Sequence, residues 1–214
     1  MPSKEYQTDT SETDYFAKAL QCQLALSQRK DYSLDMPKLI VFLGNPGMQY
    51  RHTRHNAGWM VCDAFSAYKG MTQSWTTKFH AQYTKQGDAV LLKPQTFMNE
   101  SGLSVQEAAK FYGIDCKDVL VVHDDIELPF KSVKIQMGGG MGGHNGLRSV
   151  KTHLGTDRFC RLRLGVGRPP ACIQVADFVL GRFSPLEEKE LEDVLKQASK
   201  EIEGFIKNGI QSRL

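Results

Sequence analysis

Two continuous apolar runs, "KLIVFLG" at residues 38–44 and "DVLVVHDD" at 118–125, constrain this chain more than any other feature. A strand with one face in water alternates apolar and polar residues, whereas a run apolar at nearly every position needs cover on both faces. Helices are the usual cover, and the sequence supplies them between the strands. Val61, Ala64, Phe65 and Tyr68 recur at helical spacing after the first run, and Val105, Ala108, Ala109 and Tyr112 repeat it ahead of Gly113. Leu147, Val150 and Leu154 mark a further helix opened by "GGHNG". Additional strands are read at "AVLLKP" (89–94), "SVKIQM" (132–137) and "RLRLGVG" (161–167). In "SPLEE", Ser184 fits an N-cap, Pro185 the first helical position and Glu187 the capping-box partner. Leu191, Val194, Leu195, Ala198, Ile202 and Phe205 then form the buried stripe of that helix. The alternation predicts an α/β fold: a single domain with a mixed, largely parallel central sheet flanked by helices.

Residues 1–36 read as an N-terminal extension, flexible or carrying a short amphipathic helix over 13–28 through Phe16, Leu20 and Leu24. The domain then spans 37–214. The extension lacks the Arg-rich, acid-poor character of a transit peptide and the apolar core of a signal peptide. No apolar run approaches the roughly 20 residues of a membrane-spanning helix, so no membrane partner is expected. The five cysteines are scattered and form no C-x-x-C pair, which argues against a disulfide framework and for a reducing, cytoplasmic location. Net charge is +3, but its distribution is uneven. The extension carries four cations against six acids and residues 184–214 carry five against seven, so residues 37–183 hold +7. Such a segment fits a polyanionic partner, although solvated basic faces produce the same pattern.

Reactive side chains gather just past strand ends. The stretch "NPGMQYRHTRHNAG" (45–58) crowds Arg51, His52, Arg54 and His55 beyond the first strand. "PQTFMNESG" (94–102) follows the next apolar strand, and His123 and Asp124 close the central one. Open α/β sheets bind ligands outside the carboxyl ends of their strands, so these segments are expected to line one site. His123, His144 and Asp124 carry metal-ligand atoms, but they lie on separate segments without H-x-x-x-H spacing, and no metal is expected. The glycines of "GGGMGGHNG" match neither nucleotide-binding fingerprint, so no cofactor is expected either.

Four of these stretches, "YRHTRHNAG", "FMNESG", "HDDIELP" and "GGMGGHNGLRS", occur in an order that resembles the bacterial-type peptidyl-tRNA hydrolase family. The resemblance runs from about Lys38 to about Phe205. It implies a monomeric enzyme that cleaves the ester between peptide and tRNA in peptidyl-tRNA without metal or cofactor. By the same resemblance, His55 is the catalytic base, Asp124 its orienting partner and Asn99 a support for the oxyanion. Asn45 and Asn145 hold the peptidyl part and the reacting water, Met98 forms an apolar wall, Tyr50 shapes the cleft mouth, and His144 stands beside the substrate. Lys134, Arg148 and Arg163 are expected at tRNA phosphates. One departure is visible: the family generally places a basic residue nine positions before the asparagine of H-N-G, where this chain has Gln136. Some relatives of the family are RNA-binding splicing cofactors without hydrolytic activity, and this class is the alternative. Retention of His55, Asp124 and the three asparagines argues against it.

Overall fold

Strand β1 (Lys38–Phe42) shows why the first apolar run has no polar face. Its alternate residues enter opposite layers of the core. Leu39 and Val41 pack with Val105, Ala108, Leu147 and Val150, while Ile40 and Phe42 pack with Val61, Phe65, Ala198 and Ile202. Side chains alternate across a strand, so both layers must be apolar once helices cover both faces. Full burial of each Val, Leu, Ile or Phe contributes about 1.5–3 kcal/mol, which makes this two-sided packing the main stabilising term.

The computed structural model describes residues 37–72 and 74–210. The helix expected over 13–28, like the rest of the extension, lies outside the described residues. After β1 come α1 (Ala57–Tyr68), β2 (Thr76–Lys78), β3 (Ala81–Gln86), β4 (Ala89–Pro94) and α2 (Ser101–Tyr112). Then follow β5 (Val119–Asp125), β6 (Val133–Met137), α3 (Asn145–Leu154), β7 (Cys160–Gly165), α4 (Val175–Leu180) and α5 (Pro185–Asn208). The seven strands order as β2-β3-β4-β1-β5-β7-β6. β4, β1, β5 and β7 pair in parallel, whereas β2, β3 and β6 join antiparallel at the two edges. α2 and α3 cover one face, and α1 and α5 the other. The mixed, largely parallel sheet flanked by helices is the architecture read from the sequence.

Helix ends follow their local chemistry. Ser184 accepts from the Glu187 amide and the Glu187 carboxylate accepts from the Ser184 amide, so the capping box at the start of α5 is formed on both sides. Gly113 ends α2 at φ 65°, a left-handed conformation that glycine adopts at no steric cost. Three features differ from the sequence reading. The β2–β3 hairpin was not anticipated, and neither was α4. Tyr68 ends α1 exposed, its hydroxyl donating to Glu203 Oε2 at 2.9 Å, instead of entering the core.

α1 begins hard against the sheet. A Cβ on Gly58 would stand 2.4 Å from the Leu43 carbonyl oxygen and 2.7 Å from that of Val122. Only glycine permits that approach, and it brings the turn before α1 to the carboxyl ends of β1 and β5.

Candidate active site

His55 sits in the 3₁₀ turn (Arg54–Asn56) that leads into α1. Asp124 is the sixth residue of β5 and is 2% exposed. Residues 69 positions apart in sequence thereby meet, with His55 Nδ1 2.9 Å from Asp124 Oδ1. Burial alone would raise the Asp124 carboxyl, but the His55 and His144 imidazoles and their hydrogen bonds outweigh it and hold the group well below the usual carboxylate range. An ionised carboxylate only accepts, so Nδ1 of His55 carries the hydrogen and Nε2 is left to take a proton. Burial opposes protonation of His55, yet the Asp124 charge and hydrogen bond raise its pKa above the ordinary 6.5.

His144 is the N-cap of α3. Its Nδ1 accepts from the backbone N–H of Gly146 at 3.1 Å and of Leu147 at 3.4 Å. Its Nε2 lies 3.1 Å from the same Asp124 Oδ1 that holds His55. The two rings stand 4.7 Å apart between centroids. His123 packs edge-on against His144 at 5.1 Å and is wholly different in character. Its Nδ1–H donates to the Asp124 carbonyl at 2.7 Å, and its buried Nε2 has no partner. Burial first, then the neighbouring His144, pushes its pKa down to about 3, so it is neutral near pH 7.

His55, Asp124 and His144 present three donor atoms within 4.8 Å of one another, spacing that a metal ion would accept. The helix cap argues against that use. With Nδ1 of His144 accepting backbone N–H groups, the hydrogen must sit on Nε2, the atom that faces Asp124. Coordination at Nε2 would require the other tautomer and the loss of the cap. His123, weighed in the sequence as a ligand-bearing residue, is not one of the three, because its Nδ1 turns to its own strand.

The asparagines fall into two groups. Asn45 is buried, and its Oδ1 accepts from the Met98 N–H at 2.8 Å, tying the end of β1 to the 3₁₀ turn Met98–Glu100 beyond β4. Asn99 follows on that turn and is exposed. Asn56 clasps Asn45 from the other side: its Oδ1 accepts from Asn45 N and its Nδ2 donates to Asn45 O, both at 2.9 Å. Asn145, exposed at the first position of α3, lines a cavity of about 560 Å³ with His55, Asp124, Gln136, His144 and Arg163. Asn45, Met98, Asn99 and the half-buried Tyr50 are not among the residues lining that cavity.

The cations also separate. Arg163 Nε donates to Asp125 Oδ2 at 2.7 Å and its Nη1 to Gln136 Oε1 at 2.6 Å, so Gln136 braces this guanidinium. Asp125 thus serves Arg163, while Asp124 faces His55. Arg148 is exposed on α3. Lys134, paired with Arg163 in the strand register, lies on the edge strand beside a second groove of about 640 Å³ that reaches the end of α5.

Of the crowded cluster at 51–55, Arg51 and His52 are exposed, whereas Arg54 is buried. Its guanidinium stacks on Phe178 at 4.2 Å and bonds the Arg182 carbonyl and Glu187 Oε2, the latter at 2.8 Å. Arg54 therefore anchors the His55 turn to the start of α5. The sequence reading gave no individual role to Arg54, to Asn56 or to the 2% exposed Arg161, whose Nη1 donates to Gly140 O at 2.7 Å. The flanking "RHN" was the available signal for the first two.

An imidazole bonded to a buried carboxylate, opening on a cavity at the carboxyl edge of an α/β sheet, is an arrangement that general-base chemistry in an enzyme can use. The family model for peptidyl-tRNA hydrolase matches residues 39–214, and the chain belongs to that family. It is 44% identical over 180 residues to the peptidyl-tRNA hydrolase of Syntrophotalea carbinolica, covering 83% of this chain and 94% of the relative. The Sulfurovum sp. peptidyl-tRNA hydrolase is 46% identical over 161 residues, covering 75% and 85%. Among solved structures, a mutant of the Acinetobacter baumannii peptidyl-tRNA hydrolase superposes with a TM-score of 0.73 at 35% identity, covering 82% of this chain and 90% of that one.

Proposed function

We propose that this chain hydrolyses the ester joining peptide to tRNA in peptidyl-tRNA, freeing the tRNA for reuse, with His55 activating the attacking water. The observation that carries the reading is the bond from His55 Nδ1 to Asp124 Oδ1, which turns the basic Nε2 over to the substrate side. Water gives its proton to Nε2 as its oxygen attacks the ester carbonyl, and Asp124 stabilises the imidazolium that forms. The side-chain N–H₂ of Asn99 supports the developing oxyanion. Collapse of the tetrahedral intermediate expels the tRNA ribose oxygen, which recovers the proton from His55. Asn45, its Oδ1 already engaged by Met98, offers its Nδ2–H₂ to the peptidyl part, and Asn145 holds the water from the other side. Met98 supplies an apolar wall and Tyr50 the cleft mouth. Lys134, Arg148 and Arg163 meet tRNA phosphates.

We also propose that the enzyme acts as a monomer in the cytoplasm. The four cysteines among the described residues are free thiols, in keeping with a reducing compartment. No helix among the described residues is long and apolar enough to cross a membrane.

The test is His55→Ala assayed on peptidyl-tRNA. A positioned general base contributes about two to four orders of magnitude, so kcat should fall by that much with tRNA affinity kept. A variant turning over at more than half the wild-type rate would remove His55 from the mechanism. A wild-type chain that binds tRNA but never cleaves the ester would favour the RNA-binding class instead.

A further inference from the structure

Asp124 Oδ1 is approached by two imidazoles at once, His55 Nδ1 at 2.9 Å and His144 Nε2 at 3.1 Å. We propose that His144 is a positioning residue: it shares the Asp124 carboxylate with His55 and so sets how readily His55 takes a proton. The proposal deepens the function above and rests on that reading of His55 and Asp124.

The tautomer of His144 is dictated by its position in the chain. As N-cap of α3 it receives two backbone N–H groups on Nδ1, and a nitrogen that accepts cannot carry the hydrogen. Nε2 is therefore a permanent donor, and it is aimed at Asp124. The cap and the carboxylate contact are two ends of one ring, so the start of α3, with Asn145 next in the chain, is held in register with the His55–Asp124 pair.

A charge-assisted hydrogen bond draws electron density from the carboxylate oxygen that receives it. An oxygen bonded by His144 has less to offer the imidazolium of His55. Removing the His144 donor leaves Oδ1 to His55 alone, and the protonated form of His55 gains. The other groups around the pair do not supply a substitute donor. His123 on β5 donates to a backbone carbonyl, and Asp125 is engaged by Arg163 from β7. Arg54, adjacent to His55, is turned to Glu187 of α5. Arg161 of β7 donates to Gly140, and Glu127 pairs with Arg168.

His144→Asn separates the two functions of the ring, because asparagine is a good N-cap but its side chain is too short to reach Asp124. His144→Ala removes both. The measurement is the titration of His55, followed by NMR of its ring protons, alongside the pH profile of kcat/KM on peptidyl-tRNA. In both variants the His55 titration should move upward by about half a unit or more, the scale on which a neighbouring charged hydrogen bond acts. The acid limb of the profile should move with it, and only His144→Ala should also lower Tm. A His55 titration unchanged in both variants would overturn the proposal and leave His144 as a cap alone. A titration that moves while the acid limb stays put would uphold the coupling and instead remove His55 as the base. In the wild-type protein, ¹⁵N shifts should show His144 protonated at Nε2 and bare at Nδ1. The opposite tautomer would refute the inference without any variant.

Discussion

Arg54→Met isolates the anchor beneath the His55 turn. The Arg54 side chain is 9% exposed and its partner Glu187 is 21% exposed, with 2.8 Å between Nη2 and Oε2. Methionine keeps much of the stem packing on Phe178 and Phe183 but leaves the Arg182 carbonyl and the Glu187 carboxylate without their cation. Breaking a buried pair by deleting one partner costs about 3–5 kcal/mol. Glu187 still accepts from the Ser184 N–H at 2.6 Å and retains some contact with water, which places the loss near the lower limit. A loss of about 3 kcal/mol lowers Tm by about 6–12 °C for a domain of this size. The functional consequence is separate. His55 is the next residue, and a base displaced by about 1 Å loses up to about a hundredfold in rate, so kcat should drop well below the melting range. Arg54→Lys keeps the charge without the planar fork and should recover only part of both effects. Thermal melts and steady-state turnover at 25 °C on the same preparations read the two losses. Unchanged Tm together with unchanged kcat in Arg54→Met would show that the turn holds itself and that the clasp has no mechanical role.

Asp124→Asn should preserve the far-ultraviolet circular dichroism yet slow turnover by orders of magnitude, because an amide presents a hydrogen to His55 and favours the wrong tautomer; Asp125→Asn, which frees Arg163 instead, is the paired control. His123 stays neutral when folded, its pKa pushed down to about 3, whereas in the unfolded chain it takes up a proton near pH 6.5. Stability should therefore fall as pH drops from about 6 to 4, by at most about 1.4 kcal/mol per unit for this group, and urea melts of His123→Phe should show a shallower fall. Asp124, with its depressed pKa, stays ionised in the folded state, and in the unfolded chain it starts to take up a proton only towards pH 4, so it adds slope of the same sign only at the acid end of that window. Gln136→Lys removes the oxygen that braces Arg163 and adds a cation where tRNA phosphates are proposed to bind. Its tRNA affinity should rise at low salt, with the slope of log K against log salt steepened by up to about one unit. A slope identical to wild type would place the phosphate elsewhere.

The elements that sequence reading found share one property: their burial pattern is local. β1 and β5 read as strands because each residue is apolar for a neighbour directly above or below it, and α5 carried its own cap and stripe. The β2–β3 hairpin had no such signal. Its strands are half exposed, and its two-residue turn is Phe79 and His80, both at positive φ, where Asn-Gly would have announced it. The site divides along the same line. His55, Asp124 and the three asparagines were singled out because their segments resemble a known set of motifs, and the sheet's topology brings His55 and Asp124 together and ties Asn45 to Met98. What those motifs do not display is which neighbour each side chain spends its hydrogen bonds on. Arg51 and Arg54 are the same residue type three positions apart, yet one is solvated and the other buried against residues more than 120 positions away. The difference is made by Gly181, whose carbonyl accepts the Arg54 N–H at 2.9 Å, and by Phe178, which receives its guanidinium. His144 carries the same lesson into the chemistry. Its neighbours in sequence mark it only as part of a glycine-rich loop, but the helix that starts there fixes its tautomer, and that tautomer decides that Nε2 is a donor to Asp124 and no ligand for a metal. A backbone event, the first turn of α3, thus determines the tautomer of the imidazole that meets Asp124.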